Sequence, residues 1–174
     1  MTALVLASAS SARAQLLQAA GVTAIADAAD LDESSVKTAM AAEGRSAEQA
    51  ALSLAVLKAQ AVSLRHPGAM VIGGDQILEC EGRWLDKPET MSEARRHLVA
   101  LRGRRHALAT TVAAVRDGAL LWQHAESAHL TMRRFSDDFL EAYLVAAGPG
   151  VCQTVGGYRL EEQGVQLFEA IDGD

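Results

Sequence analysis

The chain has 174 residues with a net charge of −6, and 49% of them are apolar while only 4% are aromatic. That length fits one domain, or two small lobes sharing a sheet, around a tight aliphatic core rich in alanine. The acidic balance excludes a broad nucleic-acid surface, which needs a basic face, but it allows a small anionic ligand held by a local cluster of Lys and Arg.

Residues 3 to 7 predict a buried first strand, and Ser8 to Ser11 a polar turn with good helix-capping residues. A helix follows through Arg13, Leu16, Leu17 and Ala20, stopped by Gly21. Residues 22 to 28 predict a second strand, and Asp30 to Glu33 an acidic turn. From Ser34 to Ser63 the pattern is helical, broken near Gly44. Ser46 with Gln49 three residues on reads as a capping box, and Ala50, Leu54, Leu57 and Ala61 fall on one face. Pro67-Gly68 marks a loop before a strand over 69 to 73. There the apolar run Val71-Ile72 closes on Gly73-Gly74 and then Asp75-Gln76, which predicts a carboxylate delivered to the rim of a sheet.

Residues 77 to 80 and 83 to 85 predict a hairpin with Gly82 in its turn. A helix over Thr90 to Leu101 has Ser92 as its candidate cap, with Ala94, Leu98 and Leu101 inward and Gly103 at its end. Residues 106 to 116 and 119 to 131 predict two long strands joined at Asp117-Gly118. Ser136 caps a helix to Ala147, ended by Gly148-Pro149-Gly150, and Gly156-Gly157-Tyr158 leads into a weaker pattern through Phe168. Hairpins mixed with strand–helix units predict a mixed α/β sheet and not a purely parallel one.

Cys80 and Cys152 have neither CxxC nor zinc spacing and read as ordinary thiols of a reducing compartment. The start Met1-Thr2-Ala3-Leu4-Val5-Leu6 lacks the basic region of a signal peptide, and no window reaches the apolar length of a membrane span. The expected protein is therefore soluble and cytoplasmic.

The groups that carry chemistry stand at turns beside apolar elements. Ser8, Ser10 and Ser11 open a helix whose free N–H groups and dipole favour an anion, and Arg13 adds a planar fork for phosphate oxygens. Read alone, such serines are usually just helix caps, and Asp75 is as readily a turn former as a catalyst. Lys58 on its alanine-rich helix has the option of snorkelling to solvent, Lys87 before Pro88 that of a surface loop, and Asp32-Glu33 that of a solvated turn. Together they suit a metal-bound polyphosphate: cations offset its charge, and a carboxylate orients or deprotonates water. There is no GxxxxGK[ST] sequence, no GxGxxG after a strand, and no Ser-His-Asp or Cys-His arrangement.

In order along nearly the whole chain, these segments resemble the Maf-type nucleoside triphosphate pyrophosphatases. The similar stretches are Leu4 to Ser10 with Arg13 and Leu16-Leu17, Asp32-Glu33, Leu54 to Ala59 around Lys58, and Val71 to Gln76. They continue with Lys87-Pro88, Leu101 to His106 with Thr110, and Gly156-Gly157-Tyr158. The resemblance implies an α/β fold of the Maf/ITPase-like kind: one domain over residues 1–174, with a mixed elongated sheet, flanking helices and two lobes around a central cleft. A homodimer is implied as well. It also implies hydrolysis of a nucleoside triphosphate to monophosphate and pyrophosphate with a divalent metal, Mg2+ or Mn2+. No nucleic-acid polymer and no membrane partner is expected.

By that resemblance Asp75 accepts the proton, with Lys58 and Glu33 as further catalytic groups. Ser8, Ser10, Arg13, Lys58 and Lys87 hold phosphates, and Glu33 and Asp75 serve the metal. Ala12, Gln76 and Glu161 resemble the positions that set base choice. The branch acting on dTTP and UTP carries Arg, Thr and Gln there, and the branch acting on 7-methyl-GTP carries Trp, Gln and Glu. This chain matches the second at Gln76 and Glu161 and neither at Ala12. A carboxylate at Glu161 can accept from the N1–H and N2 amino groups of guanine.

Ser11 stands where the family has proline, and the family continues beyond the turn at which this chain stops, so the C-terminal end of the domain is expected to be missing. These departures, with Ala12, motivate an alternative: a nucleotide-binding regulatory protein with impaired catalysis. A structural partner in cell division has no support in these residues.

Overall fold

The computed structural model describes residues 3–173. In chain order the elements are β1 (Leu4–Leu6), α1 (Ser11–Ala19), β2 (Ile25–Ala26), α2 (Glu33–Ala42), α3 (Ala47–Ser63), β3 (Met70–Cys80) and β4 (Arg83–Leu85). Then come α4 (Met91–Leu101), β5 (Arg105–Arg116), β6 (Ala119–Met132), α5 (Asp137–Ala147) and β7 (Phe168–Asp172), with 3₁₀ turns between α5 and β7. The strands form one mixed seven-stranded sheet in the order β2-β1-β3-β5-β6-β7, and β4 pairs with β3 off that path. β1 runs parallel to both β2 and β3, while β4 is antiparallel to β3 and β7 to β6. The expected mixed α/β fold is observed.

Local signals explain most of these elements. Ser10, Ser46 and Ser136 cap α1, α3 and α5, each hydroxyl accepting an N–H three residues on, and the Ser46–Gln49 capping box is complete. Asp117 and Gly118 both take positive φ, 50° and 78°, as a two-residue turn between β5 and β6 requires.

Four expectations need correction. The second strand shrinks from 22–28 to Ile25–Ala26, because it lies at the sheet edge with β1 as its neighbour. Thr90, not Ser92, caps α4: its backbone is extended and its hydroxyl accepts the Glu93 N–H, whereas Ser92 already lies inside the helix. On α3 Ala50 and Leu54 are buried as expected, but the buried face runs on through Ala55, Lys58, Ala59 and Val62, and Leu57 is turned outward. Finally, β3 does not stop at Gly73 but runs on to Cys80, so Asp75 sits in mid-strand and not at a rim. The pairing with β1 ends at Ile72, but β5 lies on the other side of β3, and a sheet neighbour offsets glycine's weak strand preference.

By internal contacts the chain divides into two compact units, one running up to Asp75 with Thr110–Glu126, the other Gln76–Ala109 with the chain from Ser127 onward. The first has a small aliphatic core of Val5, Ala7, Ala59, Val62, Val71 and Val115. Its tightest point is Gly73, where an added Cβ would overlap the Ala55 carbonyl oxygen and lie 2.9 Å from Ala59 Cβ. α3 therefore rests on the bare backbone of β3. The second unit has a larger core including Leu78, Leu98, Leu101, Leu130, Met132 and Leu140. Within it, buried His106 Nε2 lies 2.8 Å from the Tyr158 hydroxyl, and burial pushes the imidazole down to about 4 and the phenol well above its usual range.

Candidate active site

Six of the singled-out side chains gather in the first unit. β1 ends at Leu6, Ala7-Ser8 follow directly, and α1 begins three residues after Ser8, so the strand delivers the chain to a helix N-terminus. Ser8 is 9% exposed, and its hydroxyl accepts from the Ser10 N–H at 3.2 Å and from Arg13 Nη1 at 3.1 Å. Ser10 in turn caps the helix through the Arg13 N–H. The Arg13 side chain lies over Gly74, with Nε 3.5 Å from where a Cβ would be. Burial lowers the Arg13 pKa, and the negative charges of Asp75 and Glu33 oppose that shift; a guanidinium stays charged regardless.

Gly73 and Asp75 point to the same side of β3, as the two-residue period of a strand dictates. Because Gly73 lets α3 settle on that side, Lys58, one turn beyond Ala55, meets Asp75. Its Nζ lies 2.6 Å from Asp75 Oδ1 and 2.9 Å from Glu33 Oε1. Lys58 and Asp75 are 7% and 5% exposed, so Lys58 does not snorkel. Glu33 is the first residue of α2, and Asp32 before it is the cap, accepting from the Ser35 N–H and hydroxyl. Thr111, which no sequence pattern singles out, is buried on β5 and donates to the Asp75 carbonyl at 3.4 Å.

Asp75 Oδ2 is buried, and among the described residues no group donates to it. Two acids and two bases make the cluster close to neutral, so it does not itself outweigh the charge of a polyphosphate. The donor set fits a magnesium-like ion: such ions take one or two carboxylates and complete their shell with water and substrate phosphates. Asp75 Oδ2 is an acceptor without a partner, and Glu33, with 43% of its side chain exposed, is within reach of solvent.

Ala12 is exposed on the first turn of α1, next to Arg13. Gln76 continues β3 and begins the second unit, which also contains Lys87, exposed after β4, and Glu161, exposed in a turn. No helix among the described residues is long and apolar enough to cross a membrane.

A family model described as Maf-like protein matches residues 3–174. A nucleoside triphosphate pyrophosphatase of Paramagnetospirillum magneticum is 52% identical over 169 residues, covering 97% of this chain and 87% of that protein. Proteins of the same name from Granulibacter bethesdensis and Rhodospirillum rubrum are each 50% identical, over 98% and 97% of this chain and 87% and 84% of their own lengths.

Proposed function

The chain belongs to the Maf-like protein family, and from that premise we propose that it is a hydrolase of acid anhydrides, a nucleoside triphosphate pyrophosphatase. The observation that supports this most is the buried Lys58–Asp75 pair with its open Oδ2, beside the Ser8–Arg13 junction. Ser8, Ser10 and Arg13, with the N–H groups opening α1, bind phosphate oxygens, and Lys87 adds a further cation.

Asp75 orients a water and takes up its proton as the water oxygen bonds to the α-phosphorus. The bond from that phosphorus to the bridging oxygen breaks, and pyrophosphate leaves. Lys58 holds Asp75 in place and offsets charge that builds on the phosphates. Glu33 and Asp75 would hold Mg2+ or Mn2+; when bound, the ion offsets phosphate charge and stabilises the leaving group.

Gln76 and Glu161 favour 7-methyl-GTP over UTP and dTTP, because a carboxylate pairs with the donor edge of guanine and with the positive charge of the methylated ring. Without an aromatic side chain at Ala12, that preference is modest. We extend the family reading to a cytoplasmic homodimer.

The test is pyrophosphate release from 7-methyl-GTP, GTP, UTP and dTTP with magnesium or manganese. Asp75→Asn is expected to lower kcat on the order of 10²- to 10⁴-fold, the usual range for general acid–base catalysis. Full activity in that variant overturns the assignment. Tight nucleotide binding without turnover by the native chain would instead make it the regulatory binding protein.

A further inference from the structure

We propose that Lys58 keeps the carboxylates of Glu33 and Asp75 closed to a divalent cation in the free protein, so that the metal enters only together with the nucleotide. This rests on the reading of Glu33 and Asp75 as the metal-receiving groups. The ammonium lies between them, 2.6 Å from one and 2.9 Å from the other, where it offsets the charge a cation would seek. Among the described residues no third His, Cys, Asp or Glu joins them to make a cage.

A cation held by both Asp75 Oδ1 and Glu33 must displace Lys58 from the two carboxylates, and a 7% exposed ammonium without a partner is costly. A cation that takes only Oδ2 and Glu33 sits beside the ammonium and is repelled by it. A triphosphate tail changes both situations. Its oxygens give Lys58 new acceptors, and they complete the coordination shell that two carboxylates leave open. The buried, unpartnered Oδ2 is then the atom waiting for the ion.

The experiment is titration of the free protein with Mn2+ alone, followed by calorimetry or by the electron spin resonance of unbound Mn2+. The native chain is expected to bind no more tightly than roughly 1 mM, the weak end for carboxylate sites of low charge. Lys58→Met is expected to bind about tenfold more tightly or better, the usual size of a coupling between sites. Lys58→Arg, which keeps the charge, stays weak, and adding Glu33→Gln to Lys58→Met abolishes the gain. Micromolar binding by the native protein, or no gain in Lys58→Met, overturns the proposal.

If Lys58→Met does not fold, a second measurement decides. Mn2+ and a non-hydrolysable nucleoside triphosphate analogue are titrated together, with the analogue alone as reference. A ternary complex tighter than the analogue's own chelation accounts for supports the proposal; its absence overturns it. None of these readouts needs turnover, so a protein that hydrolyses no nucleotide defeats the proposed activity and leaves this result to be judged separately.

Discussion

Gly73→Ala is the sharpest perturbation of the geometry, because the helix that carries Lys58 rests on that residue's backbone. The new methyl would overlap the Ala55 carbonyl and approach Ala59 Cβ to 2.9 Å, against roughly 3.5–4.0 Å at the optimum for two carbons. Neither obstacle is the free end of a flexible side chain, so α3 must lift from β3 by roughly 1 Å. Overpacking of this kind costs about 1–3 kcal/mol, which for a chain of this size is a fall in Tm of roughly 2–12 °C.

The same displacement opens the 2.6 Å contact between Lys58 and Asp75. Misplacement of a catalytic group by about 1 Å can lower turnover on the order of a hundredfold. Arg13 and Ser8 are not attached to α3, so KM should change far less than kcat. Urea denaturation and initial rates of pyrophosphate release measure the two effects on the same preparation. A variant within about 0.5 kcal/mol of the native stability that also turns over normally would refute the idea that Gly73 sets the Lys58–Asp75 distance.

Other substitutions test the site and the second core. Arg13→Lys keeps the charge but loses the fork, and is expected to raise KM on the order of tenfold, consistent with about 1.5–3 kcal/mol for a charge-assisted hydrogen bond; unchanged steady-state kinetics would remove Arg13 from phosphate binding. His106 gives a pH dependence. Burial holds its folded pKa near 4, below the ordinary 6.5, so the unfolded chain takes up that proton first. Its contribution to stability is complete above pH 6.5 and is lost as the pH falls towards 4. The urea midpoint should therefore drop between pH 7 and pH 5, and His106→Gln should flatten that slope; parallel curves for the two proteins would count against it.

Features that depend on residues within a few positions of one another were readable from the chain alone. Ser10, Ser46 and Ser136 announce helix starts through their own hydroxyls, and Asp117-Gly118 announces a tight hairpin through its tolerance of positive φ. Features set by distant neighbours were not. Gly73-Gly74 looks like a strand end until β5 is placed beside β3. Lys58 on an alanine-rich helix looks solvent-facing until Asp75, 17 residues away, is brought beneath it. Thr90 and Ser92 offer the same hydroxyl chemistry, and only the backbone decides that Thr90 is the cap. Glu33, Lys58 and Asp75 were singled out through resemblance to a family, whereas the lysine bridge between the two carboxylates is a property of the folded chain.

The turn between β5 and β6 has a role beyond reversing the chain. Gln60 Nε2 donates to the Gly118 carbonyl at 3.2 Å, the Gly118 N–H donates to the Ser63 hydroxyl at 3.1 Å, and the Gly68 N–H donates to Asp117 Oδ1 at 2.7 Å. Two residues at a hairpin tip thus clasp the last turn of α3 and the bend that leads into β3. Loop tips are ordinarily where a chain accepts inserted peptides or a protease cut. This one is not spare: lengthening it would release the far end of the helix that carries Lys58, so an affinity tag or a circular break is better tolerated at the Glu81-Gly82 turn.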